Sequence, residues 1–181
     1  MTPKVSIYIA ASLDGFIARQ NGDIDWLTSL PNPNGEDYGY QQFIGSIDVI
    51  VMGRKTFDTA LTFGTWPYSD QRVVVLSTRA LQIPDRLPKN VTIQSASPQE
   101  LIESLAKEGA THLYVDGGNT LQRFLAAGLV DEITLTRIPI LLGAGLPLFG
   151  SLDHPVQLQH LETKAFENGF VQSKYRVIKA T

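Results

Sequence analysis

The hydrophobic pattern of the chain predicts a series of buried strands. Residues 5–11, 49–52, 73–76 and 112–115 are apolar at nearly every position, which is typical of parallel strands that are covered on both faces. Helical patterns follow the second and fourth of these runs, and a third helix follows a short strand at 91–93. Three passes from strand to helix predict a largely parallel central sheet with helices on both faces.

Local signals place the ends of the helices. Ser97 can cap a helix, Pro98 suits its first position, and Glu100 can complete a capping box. A helix is also predicted over about residues 37–45, and a last one begins after Gly117–Gly118.

The C-terminal part of the chain predicts antiparallel strands. Residues 131–138 alternate, with Ile133 and Leu135 on one face and threonines on the other. The pair Asn168–Gly169 is a turn signal between strands predicted at 157–166 and 170–178. We therefore expect residues 1–181 to form a single α/β domain, with a mostly parallel sheet and an antiparallel hairpin at one edge.

A long loop is predicted over residues 20–37. It contains Pro31, Pro33 and Gly35, and it carries Trp26. Loops of this length are uncommon in compact domains unless they have a function. Trp26 could bind substrate by stacking on a flat ring, or it could pin the loop to the core, and the sequence leaves both roles open.

The stretch from Gly53 to Thr56 predicts an anion site. Gly53 ends a buried strand, Arg54 and Lys55 supply positive charge, and Thr56 can cap the next helix. The carboxyl ends of strands are where open α/β sheets bind ligands. The same pattern recurs at 77–79, while the glycines at 117–118 allow close approach of a pyrophosphate. The alternative is a set of ordinary turns with solvated cations.

Composition narrows the class of protein. The 181 residues carry a net charge of −3, no cysteine and three histidines, at positions 112, 154 and 160. Neither a zinc site nor a disulfide framework is expected. No basic run suggests nucleic-acid binding, and no apolar run reaches the ~18–20 residues that span a bilayer. We expect a cytoplasmic protein without a metal centre.

Two acids are candidates for catalysis. Asp14 and Asp37 lie nearest the expected strand ends and mouth loops. A carboxyl group there could hold the N–H groups of a substrate ring or deliver a proton. Asp14 could equally form a simple Asp–Gly turn, and Asp37 could be an acid at a helix N-terminus.

The order of the motifs resembles the dihydrofolate reductase fold. The matching segments are VIVMGRKTF, VVVLSTR, LYVDGGNTLQRFL and EITLTRI. Three other segments, ASLDGFIA, LAAGLVDEITL and PILLGAGLPLF, favour the branch formed by the RibD C-terminal domain of riboflavin biosynthesis and its stand-alone relatives. The resemblance spans roughly residues 5–177, and relatives of this type are often homodimers.

This resemblance implies a reductase that uses NADPH and a small-molecule substrate. By position, the part that holds the adenosine phosphates matches Gly53, Arg54, Lys55 and Thr56, and the side of the ribose 2′-phosphate matches Ser77, Thr78 and Arg79. The pyrophosphate and nicotinamide side matches Asp116, Gly117, Gly118, Asn119 and Thr120. The resemblance also implies that the nicotinamide contacts Ala10, Ala11 and Ile17. In dihydrofolate reductases the bond that matches Gly117–Gly118 is cis.

The chain departs from dihydrofolate reductases in the first helix. These enzymes carry an acid there, shortly after a loop tryptophan, whereas Trp26 and Asp37 are separated by a Pro/Gly-rich insertion. An ungapped count from Met52 places Asp37 at the acid's position, but alignment on Phe43 places Gly39 there. The leading hypothesis is reduction of 5-amino-6-(5-phosphoribosylamino)uracil. Alternatives are dihydrofolate reduction and a non-catalytic nucleotide-binding or sensory protein.

Overall fold

The computed structural model describes residues 1–68 and 70–179. Within these residues, ten strands and five α-helices alternate through most of the sequence, and a short 3₁₀ helix spans Leu61–Phe63. In sequence order they are β1 (Lys4–Ser12), β2 (Phe16–Ala18), α1 (Asp25–Thr28), α2 (Tyr40–Ile44), β3 (Val49–Gly53), α3 (Arg54–Ala60), β4 (Arg72–Leu76), β5 (Val91–Gln94), α4 (Pro98–Lys107), β6 (His112–Asp116), α5 (Gly118–Ala126), β7 (Glu132–Ile138), β8 (Leu146–Pro147), β9 (Gln157–Ala165) and β10 (Val171–Ile178).

Eight strands form one sheet in the order β5-β4-β3-β6-β1-β7-β10-β9. The strands from β5 to β7 run parallel, whereas β10 is antiparallel to both β7 and β9. The predicted mostly parallel sheet with a C-terminal hairpin is therefore confirmed. The small strands β2 and β8 pair separately, so the apolar segment after β7 also contributes a strand.

The two faces of the sheet are covered differently. On the first, here called the helix-packed face, apolar side chains of the strands pack against α4 and α5, with Leu101, Leu121 and Phe124 fully buried. The second, here called the open face, meets the shorter helices α2 and α3. A third cluster at the end of the open face joins Trp26, Ile138 and Phe170.

The structure confirms one of the local predictions for the helices and corrects two others. The capping box is confirmed, because the Glu100 backbone N–H donates to Ser97 Oγ at 3.3 Å and the Ser97 N–H donates to Glu100 Oε2 at 2.8 Å. The prediction that Thr56 caps a helix is wrong, because α3 already begins at Arg54 and Gly53 occupies the cap position. The predicted helix at 37–45 is shorter and begins at Tyr40.

Among the described residues, no helix combines the length and the apolar content that crossing a bilayer requires.

Candidate active site

Three strand ends meet at one edge of the sheet. β3 lies between β4 and β6, and Gly53 pairs with Leu76 while Met52 pairs with Asp116. The segments that follow these residues therefore lie side by side at the carboxyl edge, where ligands of open α/β sheets bind. The fold thus brings together the three predicted parts of the anion site: residues 53–56, 77–79 and 116–120.

The glycines of this edge pack against hydroxyl groups. A Cβ atom on Gly53 would lie 2.7 Å from Thr120 Oγ1, and one on Gly117 would overlap the Thr56 hydroxyl. Thr120 is buried. Thr56 therefore serves the site as a packing partner of Gly117, and the close packing of this edge requires glycine at positions 53 and 117.

The Gly117–Gly118 bond is trans, since no cis peptide bond occurs in residues 1–68 and 70–179. The cis bond implied by the resemblance is thus not found. Gly117 has φ 91° and ψ 138°, a backbone conformation that L side chains rarely adopt. This positive φ makes the turn into α5 and leaves the first N–H groups of that helix facing outward.

The carboxyl ends of β1 and β6 do not pair, and the gap between these two strand ends is here called the crevice. Their parallel pairing extends only from Lys4–His112 to Ser6–Tyr114, whereas β1 continues to Ser12 along β7. Ala10 therefore has no partner on the side of β6. A Cβ on Gly118 would lie 2.6 Å from Ile17 Cδ1, so Ile17 borders the same edge.

The residues predicted to contact the nicotinamide differ in how far they are buried. Ala10 is half-buried, whereas Ala11 is buried in the core of the helix-packed face. Any ligand contact of Ala11 must therefore use its backbone.

The cations at this edge are exposed. Arg54 forms an ion pair with Asp58 at 3.6 Å, one turn further along α3, while Lys55, Arg79 and Thr78 are exposed. Ser77 Oγ accepts from the N–H of Arg79 at 3.2 Å and donates to its carbonyl at 2.8 Å. This turn fixes the backbone of Arg79 and leaves its guanidinium free to meet an anion. Asn119 is also exposed, in the first turn of α5.

Asp14 ties two loops together. Its carboxylate accepts from Ser12 Oγ at 2.5 Å and from the N–H groups of Leu142 and Gly143 at 3.1 and 2.8 Å. The Ser12 hydrogen bond, helped by the two backbone bonds, lowers the pKa of this exposed carboxyl. A group in this state is a poor proton donor at neutral pH. Its predicted catalytic role is untested.

Asp37 stands at the start of α2. Its two oxygens accept from the N–H of Gly39 at 2.9 Å and from the N–H of Gln41 at 3.0 Å. These backbone bonds lower the pKa of the Asp37 carboxyl, which is exposed. The residue therefore has the helix N-terminal role that the sequence left open, and it does not line a buried pocket. Its catalytic role stays a prediction.

Trp26 pins the loop. Its side chain is only 3% exposed and packs with Ile138 and Phe170. The ring faces are therefore occupied, which does not fit the predicted stacking on a substrate ring. The indole Nε1 is buried without a hydrogen-bond partner, an uncommon state for a buried donor.

A ring of tyrosines around Asp116 is the feature that the sequence interpretation missed. Asp116 ends β6 on the open face, and its carboxyl group interacts with the side chains of Tyr40, Tyr68 and Tyr114. Burial raises the pKa of the Asp116 carboxyl, against hydrogen bonds from Gly117, Tyr114 and Tyr68. Burial likewise raises the pKa of Tyr40 to about 12. The spacing of Tyr114 and Asp116 along one strand was a signal for a shared face.

A separate groove lies at the other end of the open face. It has a volume of ≈ 360 Å³ and runs between α2 and the hairpin. Its lining includes Tyr8, His112, Glu132, Gln172 and Lys174, and none of the predicted site residues. Among the described residues there is also no cluster of three or more side chains that could hold a metal ion.

The chain matches a known protein family. The family model of the RibD C-terminal domain matches residues 3–172, and the chain belongs to this family. A curated relative, "Uncharacterized protein YwjB" of Bacillus subtilis, is 32% identical over 168 residues, which cover 92% of this chain and 94% of the relative.

Solved structures share the fold. A "Putative riboflavin biosynthesis protein" from Shewanella sp. PV-4 has a TM-score of 0.91 and 38% identity, over 98% of this chain and 99% of that one. The deaminase/5-amino-6-(5-phosphoribosylamino)uracil reductase of Thermotoga maritima reaches 0.73 at 16% identity, over 98% and 57%. Dihydrofolate reductase from Enterococcus faecalis, complexed with NADP(H), reaches 0.63 at 17% identity, over 96% of both chains. The last two likenesses show the fold alone.

Proposed function

We propose that this member of the RibD C-terminal domain family is an NADPH-dependent reductase. The observation that carries the proposal is the meeting of three strand ends at one edge, with two glycine turns and three exposed cations beside the crevice between β1 and β6. When bound, NADPH supplies the hydride. Reductases that share this fold include one complexed with NADP(H).

The residues at this edge fit such a cofactor in two ways. Gly53, Gly117 and Gly118 stand where a Cβ atom would overlap a neighbouring side chain, so the turns at this edge pack tightly, and the outward-facing first N–H groups of α5 could hold a pyrophosphate. The cations Arg54, Lys55 and Arg79 are exposed at the same edge, and their hydrogen bonds to phosphate are charge-assisted. These positions are those that the resemblance implies for NADPH.

The proposed substrate is 5-amino-6-(5-phosphoribosylamino)uracil or a close heterocyclic or sugar-imine analogue. Family membership supports this class. Dihydrofolate is less well supported, because the Asp37 carboxylate is exposed and bonded to the start of α2. The crevice and the face with α2 would orient the substrate, and the buried surroundings would exclude water from the reacting atoms.

Calorimetric titration with NADPH and NADH tests the cofactor. We expect tight NADPH binding and weak NADH binding, because two or three charge-assisted hydrogen bonds of about 1.5–3 kcal/mol each give a ~10²–10³-fold preference. In the double variant Arg54→Ala/Arg79→Ala this preference should disappear through loss of NADPH affinity. A matched control is Arg123→Ala/Arg176→Ala, which removes two exposed arginines elsewhere.

The outcomes separate the alternatives. Failure to bind either cofactor would overturn the proposal. Equal losses of NADPH and NADH affinity in the double variant would remove the 2′-phosphate role of the arginines. Binding of NADPH without its oxidation, in a screen of ribosylaminopyrimidines and dihydropteridines, would favour a non-catalytic nucleotide-binding protein.

A further inference from the structure

Tyr8 lies between the groove and the crevice. Side chains on one face of a strand recur at every second residue, so Ser6, Tyr8 and Ala10 of β1 follow one another on the open face. Ser6 and Tyr8 line the groove, whereas Ala10 does not line it and stands beside the crevice, without a partner on the side of β6. Tyr8 therefore occupies the boundary between the two.

The ring of Tyr8 packs against two aromatic side chains of α2. It stacks on Phe43 with centroids 4.9 Å apart, and it meets Tyr40 in an edge-to-face arrangement with centroids 5.5 Å apart. Both arrangements are among those that aromatic pairs prefer. The space between β1 and α2 is therefore filled by rings at this boundary.

The hydroxyl group of Tyr8 connects the same boundary to the hairpin. It donates to the backbone carbonyl of Tyr38 at 2.8 Å, in the loop before α2, and it accepts from Gln172 Nε2 at 3.1 Å, on β10. The same nitrogen of Gln172 donates to Thr136 Oγ1 at 3.0 Å. A side chain that is held at its ring and at its hydroxyl group keeps one position, so the boundary is a fixed wall.

The groove beyond Tyr8 has the chemistry of a site for a polar ligand. Its lining carries three lysines and two glutamates: Lys4, Lys164, Lys174, Glu132 and Glu162. Glu132 pairs with Lys4 at 2.8 Å and with Lys174 at 3.3 Å. Its volume of ≈ 360 Å³ lies in the range of small-molecule pockets. A long anionic substituent would fit this groove, but Tyr8 separates the groove from the crevice.

We propose that Tyr8 is a specificity-determining residue that limits the length of the substrate. This inference rests on the proposed function. A substrate that lies on the open face beside the crevice meets the ring of Tyr8 at the end toward the groove. A compact ring with a short substituent fits in front of this wall, whereas a long substituent in that direction does not. A smaller side chain at position 8 joins the crevice to the groove, where lysines meet the charge of the substituent.

Two ligands that share a pteridine ring test the length limit. 6-Methylpterin carries one methyl group, whereas folate carries a long anionic substituent at the same ring position. Each is titrated by calorimetry into the wild-type protein and into Tyr8→Val, both saturated with NADP⁺. We expect Tyr8→Val to bind folate at least about tenfold more tightly than the wild type does, and 6-methylpterin within about threefold of it, because only the long substituent uses the new space.

Two further variants separate length from other effects. Tyr8→Phe keeps the ring and removes only the hydroxyl group, so its ratio of folate affinity to 6-methylpterin affinity should stay within about threefold of the wild-type ratio. The matched control Tyr175→Val removes a half-buried tyrosine that packs against His160 and does not line the groove, and it should leave the ratio unchanged. A tyrosine that only supported the fold would change both affinities together.

The outcomes distinguish this inference from the proposed function. Equal folate affinity in Tyr8→Val and the wild type, or a parallel loss of both ligands, would overturn the inference. If urea unfolding shows that Tyr8→Val does not fold, Gln172→Ser opens the same wall from the hairpin, and no gain in folate affinity there would overturn the inference as well. In each case NADPH binding by the wild type leaves the reductase proposal standing, whereas its absence would overturn both.

Discussion

The two faces of the sheet use the same strands but have different neighbours. The helix-packed face meets α4 and α5, of ten and nine residues, and its core residues are almost all aliphatic or Phe. The open face meets α2 and α3, of five and seven residues. It bears tyrosines, threonines and Gln172, whose Nε2 donates to Tyr8 and Thr136 at 3.1 and 3.0 Å.

Within one domain, the helix-packed face therefore contributes mainly to stability, and the open face supplies polar groups for chemistry. Apolar burial on the helix-packed face supplies most of the driving force for folding, since it scales with the area removed from water. The open face keeps polar groups near the crevice, where a ligand can use them. Its short helices leave those groups partly accessible, at the cost of a less complete core.

Truncation of one phenylalanine on each face gives the largest expected contrast. Phe124 is fully buried on the helix-packed face, and Phe124→Ala should lower the free energy of unfolding by about 3–5 kcal/mol. Phe43 on the open face is half-buried and stacks on Tyr8 with centroids 4.9 Å apart. Phe43→Ala should cost at most about half as much, because water can enter the space. Urea unfolding measures both, and equal losses would contradict the comparison.

The two tryptophans, Trp26 and Trp66, provide a second comparison, between a buried N–H group without a partner and one with a partner. Trp66 Nε1 donates to the Tyr68 carbonyl at 3.0 Å, so Trp66→Phe loses a net hydrogen bond of about 0.5–1.5 kcal/mol. Trp26→Phe instead removes a buried donor without a partner. The relief of roughly 1–3 kcal/mol from that unsatisfied group should offset much of the cavity cost.

Urea unfolding of the two single variants compares these effects. We expect Trp26→Phe to cost no more than Trp66→Phe, although Trp26 is the more buried of the two. A much larger loss for Trp26→Phe would mean that its N–H is satisfied in solution, for example by a bound water molecule.

Features that depend on near neighbours in the sequence were predicted well. The capping box at Ser97 and the hairpin turn at Asn168–Gly169 need only a few adjacent residues. The alternation of β7 also gave the correct faces for Ile133 and Thr134, because the period of a strand is two. The resemblance supplied the order of the segments, and with it the three strand ends that meet.

Features that depend on distant residues were not predicted. The burial of Trp26 depends on Ile138 and Phe170, more than a hundred positions away, and no pattern near Trp26 reports on them. The acid at the end of β6 gained its tyrosine neighbours from α2 and from the loop before β4. Thr56 was placed as a cap because the start of α3 was set too late, whereas the structure begins this helix at Arg54, and element ends are the least reliable part of a sequence pattern.

The smallest expected effect is the pH dependence of the open face. His112 Nε2 lies 2.8 Å from Ser6 Oγ, and Nδ1 lies 3.0 Å from the Ser46 carbonyl. Burial, followed by the nearby Lys4, lowers the pKa of His112 from its ordinary 6.5. The folded state therefore binds this proton less well than the unfolded state. Stability from this group is complete above pH 6.5 and is lost as the pH falls toward the lowered folded value.

Urea unfolding of the parent and of His112→Gln at several pH values isolates this contribution. The difference in unfolding free energy between the two proteins should be constant above about pH 7 and should decline below about pH 6.5. Paired carboxylates such as Asp48, whose pKa is lowered mainly by Thr111, lose their contribution only at more acidic pH and in both proteins alike. A difference that stays constant through this range would show that His112 titrates alike folded and unfolded. His112, which lines the groove, would then be as well solvated as a surface residue, and the open face would be wetter there than its hydrogen bonds imply.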